Sequence, residues 1–141
     1  MIIVTTGGRN LFLTLEGALY FHQKLKELGA TEVVHGGARG VDSCVDFLCH
    51  LWNVKKVIFK PDYETFEGSY APLERNIKMA DYAQVGIAFR GGTGTAHMTQ
   101  QMTERGKRMI SLVDARFTTD DYTKGIYMNQ DAIKELKGLS L

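Results

Sequence analysis

A glycine-rich stretch in the middle of the chain has the residue types and spacing of an anion-binding turn. The stretch RGGTGT, residues 90–95, follows the apolar run 85–89 and precedes a helix-compatible segment. Glycines let backbone amides approach an anion closely, and the free N–H groups and dipole at a helix start favour negative charge. The hydroxyl groups of Thr93 and Thr95 add two donors. The alternative is a tight strand-to-helix turn in which Thr95 is simply the N-cap.

A second glycine cluster, residues 36–40, has the same position between a strand and a helix. Arg39 in this cluster can pair with a phosphate or with a carboxylate. Asp42, in the first helical turn, is either a dipole-matched cap residue or an acceptor for a pair of ribose hydroxyls. His35 ends the preceding strand, where a hydrogen-bonded histidine at the core edge is commoner than a ligand or a base.

A third glycine pair, Gly7 and Gly8, follows the first strand and precedes Arg9. The pair is not the spaced dinucleotide fingerprint, because no acidic residue ends the second strand. No glycine cluster is followed by Lys-Ser or Lys-Thr, so the P-loop motif is absent as well. These two observations argue against ordinary NAD(P) dehydrogenase and NTPase chemistry.

Two further segments carry charged and aromatic side chains. Arg75 lies on a predicted helix, where it is a solvated charge unless it points over the sheet edge as a fixed cation. The segment 62–67 contains Asp62, Tyr63, Glu64 and Phe66, which can supply a base-stacking ring and a carboxylate.

The elements that position these residues alternate between strand and helix. Strands are predicted at 2–5, 31–35, 54–60, 84–89 and 107–113, and helices at 14–28, 41–52, from Pro72 to Ala80, at 95–105 and at 130–137. Alternation with continuous apolar strands favours one Rossmann-like, doubly wound α/β domain, with a mainly parallel five-stranded sheet and helices on both faces. Right-handed crossovers then bring the three glycine clusters to one edge, where ligands bind.

Two parts of the chain are distinguished by this pattern. Residues 1–113 are predicted to form the nucleotide-binding domain, and residues 114–141 a C-terminal extension that packs on it at a position the pattern does not give. The formal net charge of +1 supplies no global attraction to nucleic acid. No apolar run reaches the roughly 20 residues of a membrane span, and Met1–Val4 lacks the features of a signal peptide. We therefore expect a cytoplasmic protein without membrane association.

The two cysteines, Cys44 and Cys49, lie five residues apart and do not have the spacing of metal ligands. They are expected to be reduced, partly buried thiols. No metal site is predicted.

Four motifs resemble, in order, those of the SLOG superfamily, the Rossmann-like domains related to Smf/DprA, to LOG cytokinin-activating enzymes and to YpsA. They are VTTGGRN, VVHGGARGVD, PLERNIKM and AFRGGTGTAHM, and they extend over roughly Ile2 to Val113. The chain is most similar to the YspA-like branch, a domain of unknown function. The resemblance implies a nucleotide or nucleotide-derived ligand above the glycine loops and a possible homo-oligomer. The apolar residues of the weakly amphipathic fourth helix are candidates for such an interface.

LOG-type members cleave the N-glycosidic bond of nucleoside monophosphates with the motif Pro-Gly-Gly-x-Gly-Thr-x-x-Glu and an arginine from the preceding helix. By resemblance, Arg75 matches that arginine, Arg90 replaces the proline and Met98 stands where the glutamate is expected. The glycines and the threonine match at Gly91, Gly92, Gly94 and Thr95. A thioether neither stabilises an oxocarbenium-like state nor activates water, as a carboxylate does.

Binding of a phosphate- and ribose-containing nucleotide ligand, with no further cofactor, is therefore the first expectation. The predicted ligand-binding residues are Gly7, Gly8, Arg9, Gly36, Gly37, Arg39, Gly40, Asp42, Arg75, Asn76, Gly91, Gly92, Thr93, Gly94 and Thr95. An alternative is a nucleotide N-glycosidase that uses another carboxylate, with Arg75, Asp42, Asp62 and Glu64 as the main catalytic candidates and Glu67 as a further one. A second alternative, from the DprA likeness, is binding of single-stranded nucleic acid. The net charge and the few aromatic residues near the glycine loops disfavour it.

Overall fold

Strands and helices alternate along the chain, and the structure, a computed structural model, describes all 141 residues. The apolar runs form the strands of the sheet, and the segments between them with helical periodicity form the covering helices. In chain order the elements are β1 (Ile2–Thr6), β2 (Phe12–Leu13), α1 (Leu15–Glu27), β3 (Glu32–His35), α2 (Val41–Leu51), β4 (Lys55–Ile58), α3 (Tyr70–Tyr82), β5 (Val85–Phe89), α4 (Thr93–Glu104), β6 (Arg108–Leu112), β7 (Thr118–Thr119) and α5 (Gln130–Lys137).

The main sheet has five parallel strands in the order β4-β3-β1-β5-β6. From β1 the chain moves outward through β3 and β4, then returns to the other side of β1 and moves outward through β5 and β6. The strand order therefore reverses between β1 and β5, and the loops after these two strands separate there. The predicted α/β fold with a parallel five-stranded sheet is confirmed.

Apolar layers cover both faces of the sheet. Side chains alternate along β1, so that Ile3 joins the layer under α1 and α2, and Val4 joins the layer under α3 and α4. Phe21 and Leu48 belong to the first layer, and Met79 to the second. Because helices cover both faces of the sheet, the glycine loops lie at its carboxyl edge, which the helices do not cover.

The C-terminal extension packs on the layer formed by α1 and α2. Phe117, Ile126 and Leu136 are buried in the same core as these helices. The indole Nε1 of Trp52 donates a hydrogen bond to the carbonyl of Leu136 at 2.9 Å. The two short strands β2 and β7 pair antiparallel, so the extension is also tied to the segment after β1.

Several details differ from the sequence-based expectations. Helix α3 begins at Tyr70 rather than at Pro72, which takes a first-turn position, and α4 begins at Thr93 rather than at Thr95. Cys44 and Cys49 are fully rather than partly buried.

The apolar face of α4 is also used differently from the expectation. Met98 and Met102 are both fully buried against the sheet, so they are not available for an interface between copies of the chain. None of the helices combines the length and apolar character of a membrane crossing.

Candidate functional site

A cavity of about 660 Å³ opens at the carboxyl ends of β1 and β5, where the strand order reverses. This volume lies within the range of small-ligand sites, roughly 300–1,000 Å³. Its walls come from the loops after β1, β3 and β5, from the start of α4, from α3 and from the loop before α3. The predicted ligand-binding residues that line it are Gly7, Gly8, Arg9, Gly36, Asp42, Arg75, Asn76, Gly91, Gly92, Thr93, Gly94 and Thr95.

The remaining candidates lie outside this cavity. Arg39 and Gly40 line a neighbouring hollow of about 330 Å³, where Nη2 of Arg39 donates to Oδ1 of Asn10 at 3.1 Å. Gly37 has a positive φ of 70° in the turn after β3, and it lines neither space. The carboxylates of Asp62 and Glu64 are also absent from the cavity wall.

The glycines of the cavity wall serve two different purposes. A Cβ atom at Gly7 would lie 2.6 Å from the side chain of Val41, and a Cβ atom at Gly36 would collide with the guanidinium of Arg75. These glycines allow the loops to pack closely. At Gly92 and Gly94, by contrast, no atom lies within 4 Å of the Cβ position, so the backbone there is open to an incoming group.

The start of α4 presents unpaired backbone donors. Gly92 is the N-cap and provides no side-chain cap, and the amides of Thr93, Gly94 and Thr95 have no acceptor in the protein. The alternative in which Thr95 is the N-cap is therefore wrong. Its hydroxyl instead accepts a hydrogen bond from Thr6 Oγ1 at 3.3 Å. Three free amides at the positive end of a helix dipole form an arrangement that favours an anion.

Arg75 extends from α3 to the loop after β3. Its Nη1 donates to the carbonyl of Gly36 at 2.7 Å, and its Nε donates to Oδ1 of Asn76 at 3.1 Å. The side chain is 8 % exposed, so it is not the solvated charge that one sequence-based alternative allowed. Nη2 makes no hydrogen bond to the protein. Burial lowers the pKa of Arg75, and the nearby charge of Asp42 opposes this effect.

Asn76 holds Arg75 in register with the start of α4. Its Nδ2 donates to the carbonyl of Gly94 at 3.3 Å and to Nδ1 of His97 at 3.2 Å. Its Oδ1 accepts from Arg75, so both the oxygen and the nitrogen of the Asn76 amide are hydrogen-bonded within the protein. Asn76 therefore positions the cation. His97, which the sequence did not single out, completes this arrangement, and burial lowers its pKa.

Asp42 is the only carboxylate in the cavity wall. Its Oδ2 accepts the N–H of Ala38 at 3.1 Å, so the carboxylate supports the glycine turn rather than its own helix. Burial raises the pKa of Asp42, against the opposing effects of the hydrogen bond from the Ala38 amide and of the charge of Arg75. Such a group, desolvated beside a cation in a cleft, is typical of functional sites.

Thr5 lies at the floor of the cavity and was missed by sequence reasoning. It is 1 % exposed, and its Oγ1 has no hydrogen-bond partner in the protein. An unpaired buried hydroxyl costs free energy. The available signal was a pair of threonines, Thr5 and Thr6, at the end of β1 and before the glycine pair.

The charged lining of the cavity is mainly positive. Arg9, Arg75 and Arg90 oppose the single carboxylate of Asp42. Arg9 and Arg90 are exposed, and Arg75 is buried. The site is therefore suited to an anionic group.

No family model, no curated protein and no solved structure matches this chain. The resemblance to the SLOG superfamily accordingly depends on the four sequence motifs alone. What the chain can bind must be inferred from the cavity itself.

The wall opposite the glycine loops is partly apolar. Tyr63, with a ring that is 61 % exposed, lies there with Pro72 and Leu73. Tyr63 is the only aromatic residue that lines the cavity. Phe66, the other aromatic candidate of this loop, packs against Tyr70 instead.

His35 is a buried, fully hydrogen-bonded residue beside the site. Its Nδ1 accepts the N–H of Gly37 at 3.0 Å, and Nε2 lies 2.8 Å from Oδ1 of Asp46. Because Nδ1 accepts from an amide, the proton is assigned to Nε2, which donates to Asp46. Lys56 binds the other carboxylate oxygen at 2.6 Å. The expectation of a hydrogen-bonded histidine at the core edge is confirmed.

Met98 has no access to the cavity. It is fully buried in the apolar layer with Met79 and Met102. The position of the LOG-type glutamate is therefore part of the core in this chain. No group of three or more His, Cys, Asp or Glu side chains is placed to hold a metal ion.

Proposed function

We propose that the chain binds a nucleotide or nucleotide-derived ligand, with phosphate and ribose groups, in the 660 Å³ cavity. The observation that carries this proposal is the uncapped start of α4, whose three free amides open into a cavity lined by three arginines and one carboxylate. The four SLOG-like motifs point to the same class of ligand.

In this proposal the phosphate binds at the amides of Thr93, Gly94 and Thr95. The free Nη2 of Arg75 and the exposed Arg9 and Arg90 add positive charge around it. The ring of Tyr63 is the platform for the base, since aromatic stacking tolerates every base.

Binding is tested by thermal shift and calorimetry with nucleoside mono- and diphosphates, NAD and cyclic nucleotides. Gly92→Asp places a negative charge before the free amides, and Arg75→Ala removes the buried cation, so we expect each variant to abolish the shift. Ala96→Asp is the matched control, because it adds the same charge in the first turns of α4 at an exposed position outside the cavity wall. Binding that survives both of the first two substitutions would show that the ligand binds elsewhere.

A nucleotide N-glycosidase is the second candidate, and the buried carboxylate of Asp42 in the cavity favours it. In such a reaction a water molecule adds its oxygen to C1′ as the C1′–N bond breaks. Asp42 takes one proton of the water and passes it to the nitrogen of the leaving base, which regenerates the carboxylate. Asp62, Glu64 and Glu67 are not in the cavity wall, so Asp42 alone is proposed for this role.

Product analysis distinguishes the two candidates. A nucleotide that has been shown to bind is incubated with the protein, and release of the free base is followed by chromatography. Release that disappears in Asp42→Asn but persists in Asp62→Asn would favour the enzyme. Absence of release with a bound nucleotide would leave binding as the function.

A further inference from the structure

Asp42 is the one acidic side chain among the cations and amides of the cavity. It is 8 % exposed, no side chain donates a hydrogen bond to it, and no Lys, Arg or His nitrogen lies within 4 Å of its oxygens. A carboxylate has about four acceptor positions, and the backbone amides of Ala38, at 3.1 Å, and of Gly36 occupy no more than two of them. Acceptor capacity therefore remains on a buried carboxylate that lines the cavity.

A role as a helix cap does not account for this carboxylate. An N-cap side chain accepts from the amides of its own helix, whereas Asp42 accepts from Ala38, which precedes α2. An asparagine oxygen would accept from the same backbone amides without a buried negative charge. Besides its effect on Arg75, the charge is available to a hydrogen-bond donor that enters the cavity, and repulsion excludes the anionic part of a ligand.

The loops present their chemical groups in a fixed order along the sheet edge. Tyr63 lies in the loop after β4, Asp42 follows the loop after β3, and the free amides of α4 follow β5. The sheet order is β4-β3-β1-β5. Along the carboxyl edge the aromatic ring is therefore followed by the carboxylate, then by the glycine loop after β1, and then by the anion site. A nucleotide carries its base, sugar and phosphate in the same order.

We propose that Asp42 accepts hydrogen bonds from the 2′- and 3′-hydroxyls of the ligand's ribose, so that the cavity selects ribonucleotides over 2′-deoxyribonucleotides. This inference rests on the proposed function. A carboxylate suits a vicinal diol because its two oxygens can accept from two adjacent hydroxyls at once.

The selection is tested with matched probes that differ in one hydroxyl. Dissociation constants are measured by calorimetry for the common ribonucleoside 5′-diphosphates and for their 2′-deoxy forms. A hydrogen bond to a charged group is worth about 1.5–3 kcal/mol, so we expect the deoxy forms to bind roughly tenfold to a hundredfold more weakly. This measurement on the unmodified chain needs no variant.

Asp42→Asn assigns the effect to the carboxylate, because asparagine keeps an acceptor for Ala38 and loses the charge. We expect the ribose preference to fall to about twofold or less, with a circular dichroism spectrum like that of the unmodified chain. Asp62→Asn, at a partly exposed carboxylate outside the cavity, should keep the full preference.

The outcomes separate the two proposals. Equal binding of a ribonucleotide and its deoxy form would overturn the ribose selection and leave nucleotide binding intact. A preference that persists in Asp42→Asn would overturn the assignment to Asp42. Failure of every nucleotide to bind would overturn both.

Discussion

At the scale of single residues, the contact between Gly36 and Arg75 controls the shape of the cavity. A Cβ atom at Gly36 would lie 2.6 Å from Cζ of Arg75 and closer still to Nη1. The guanidinium fills the space that the missing side chain leaves and binds the carbonyl of Gly36. A side chain at Gly36 would therefore force the guanidinium of Arg75 to move.

Gly36→Ala should therefore destabilise the protein through overpacking. We expect a loss of about 1–3 kcal/mol in the free energy of unfolding, because the guanidinium must move away from its acceptor. Gly94→Ala is the control, since nothing lies within 4 Å of its Cβ position and alanine is favoured in a helix. Urea denaturation measures both. Equal stability of the two variants would show that the contact between Gly36 and Arg75 does not contribute to the free energy of unfolding.

Asp42→Asn should raise the stability of the ligand-free protein at neutral pH. Burial raises the pKa of Asp42 in the folded state, so the folded protein binds a proton more readily than the unfolded chain. The unmodified chain then loses stability as the pH rises from about 4, near the unfolded pKa of an aspartate, through the raised folded pKa. The variant lacks this loss.

Thermal unfolding at pH 4 and pH 7 measures the effect. The Tm of Asp42→Asn should exceed that of the unmodified chain at pH 7, and the difference should shrink at pH 4. For a chain of this size, each kcal/mol corresponds to roughly 2–4 °C. A difference that is independent of pH would contradict the raised pKa.

Some of these residue roles could be read from the sequence and others could not. Asp42 follows the glycine cluster at residues 36–40 and Arg75 occurs in the motif PLERNIKM, so both were candidates before the structure. The unpaired hydroxyl of Thr5 and the contact of Asn76 with His97 depend on segments distant in sequence. No local pattern records such contacts.

At the scale of secondary structure, hydrophobic periodicity predicted the five sheet strands and the five helices. Their core positions repeat over enough residues to give a clear signal. The strands β2 and β7 were not predicted, because a two-residue strand has no periodicity and exists only through its partner. The start of α4 was placed two residues late, because the glycines that open it have low helix propensity.

The link between α3 and α4 should make stability depend on pH. Nδ1 of neutral His97 accepts from Asn76, and a proton on Nδ1 would break this contact. Burial lowers the pKa of His97 in the folded state. The stability that the neutral ring contributes is therefore present above the unfolded pKa of about 6.5, and it is lost as the pH falls from that value through the lowered folded pKa.

His97→Gln, which does not titrate, should lose less stability between pH 7 and pH 5 than the unmodified chain. A series of thermal unfolding curves measures this difference. His50→Gln, at an exposed histidine on α2, is the control and should follow the unmodified chain. Parallel curves for all three proteins would contradict the role of His97.

At the scale of the whole molecule, the C-terminal extension completes the core of the α/β domain. Among its buried residues, Phe117 and Ile126 lie in single turns without regular spacing, so their burial was not predictable from periodicity. For Leu136 the pattern predicted the helix α5 but not the layer on which it packs.

Leu136→Ala should be among the more costly substitutions in this chain. The side chain is fully buried against the layer of α1 and α2, and a cavity of this kind costs about 2–5 kcal/mol. Leu141→Ala, at a leucine that is 44 % exposed, should change the free energy of unfolding by less than about 0.5 kcal/mol. Urea denaturation compares the two. Equal effects would show that the extension does not stabilise the domain.

The two buried thiols, Cys44 and Cys49, can report which part of the molecule opens first, because each reacts only when it becomes exposed. Burial raises the pKa of both, that of Cys49 to about 12, so neither reacts readily with alkylating reagents in the closed state. The hydroxyl of Tyr127, from the extension, lies beside Cys44, whereas the charged groups that act on Cys49 are Asp46 and Lys56, outside the extension. If Cys44 is alkylated before Cys49, the extension separates from the domain before the domain unfolds. If both are alkylated at the same rate, the chain opens only by unfolding as a whole.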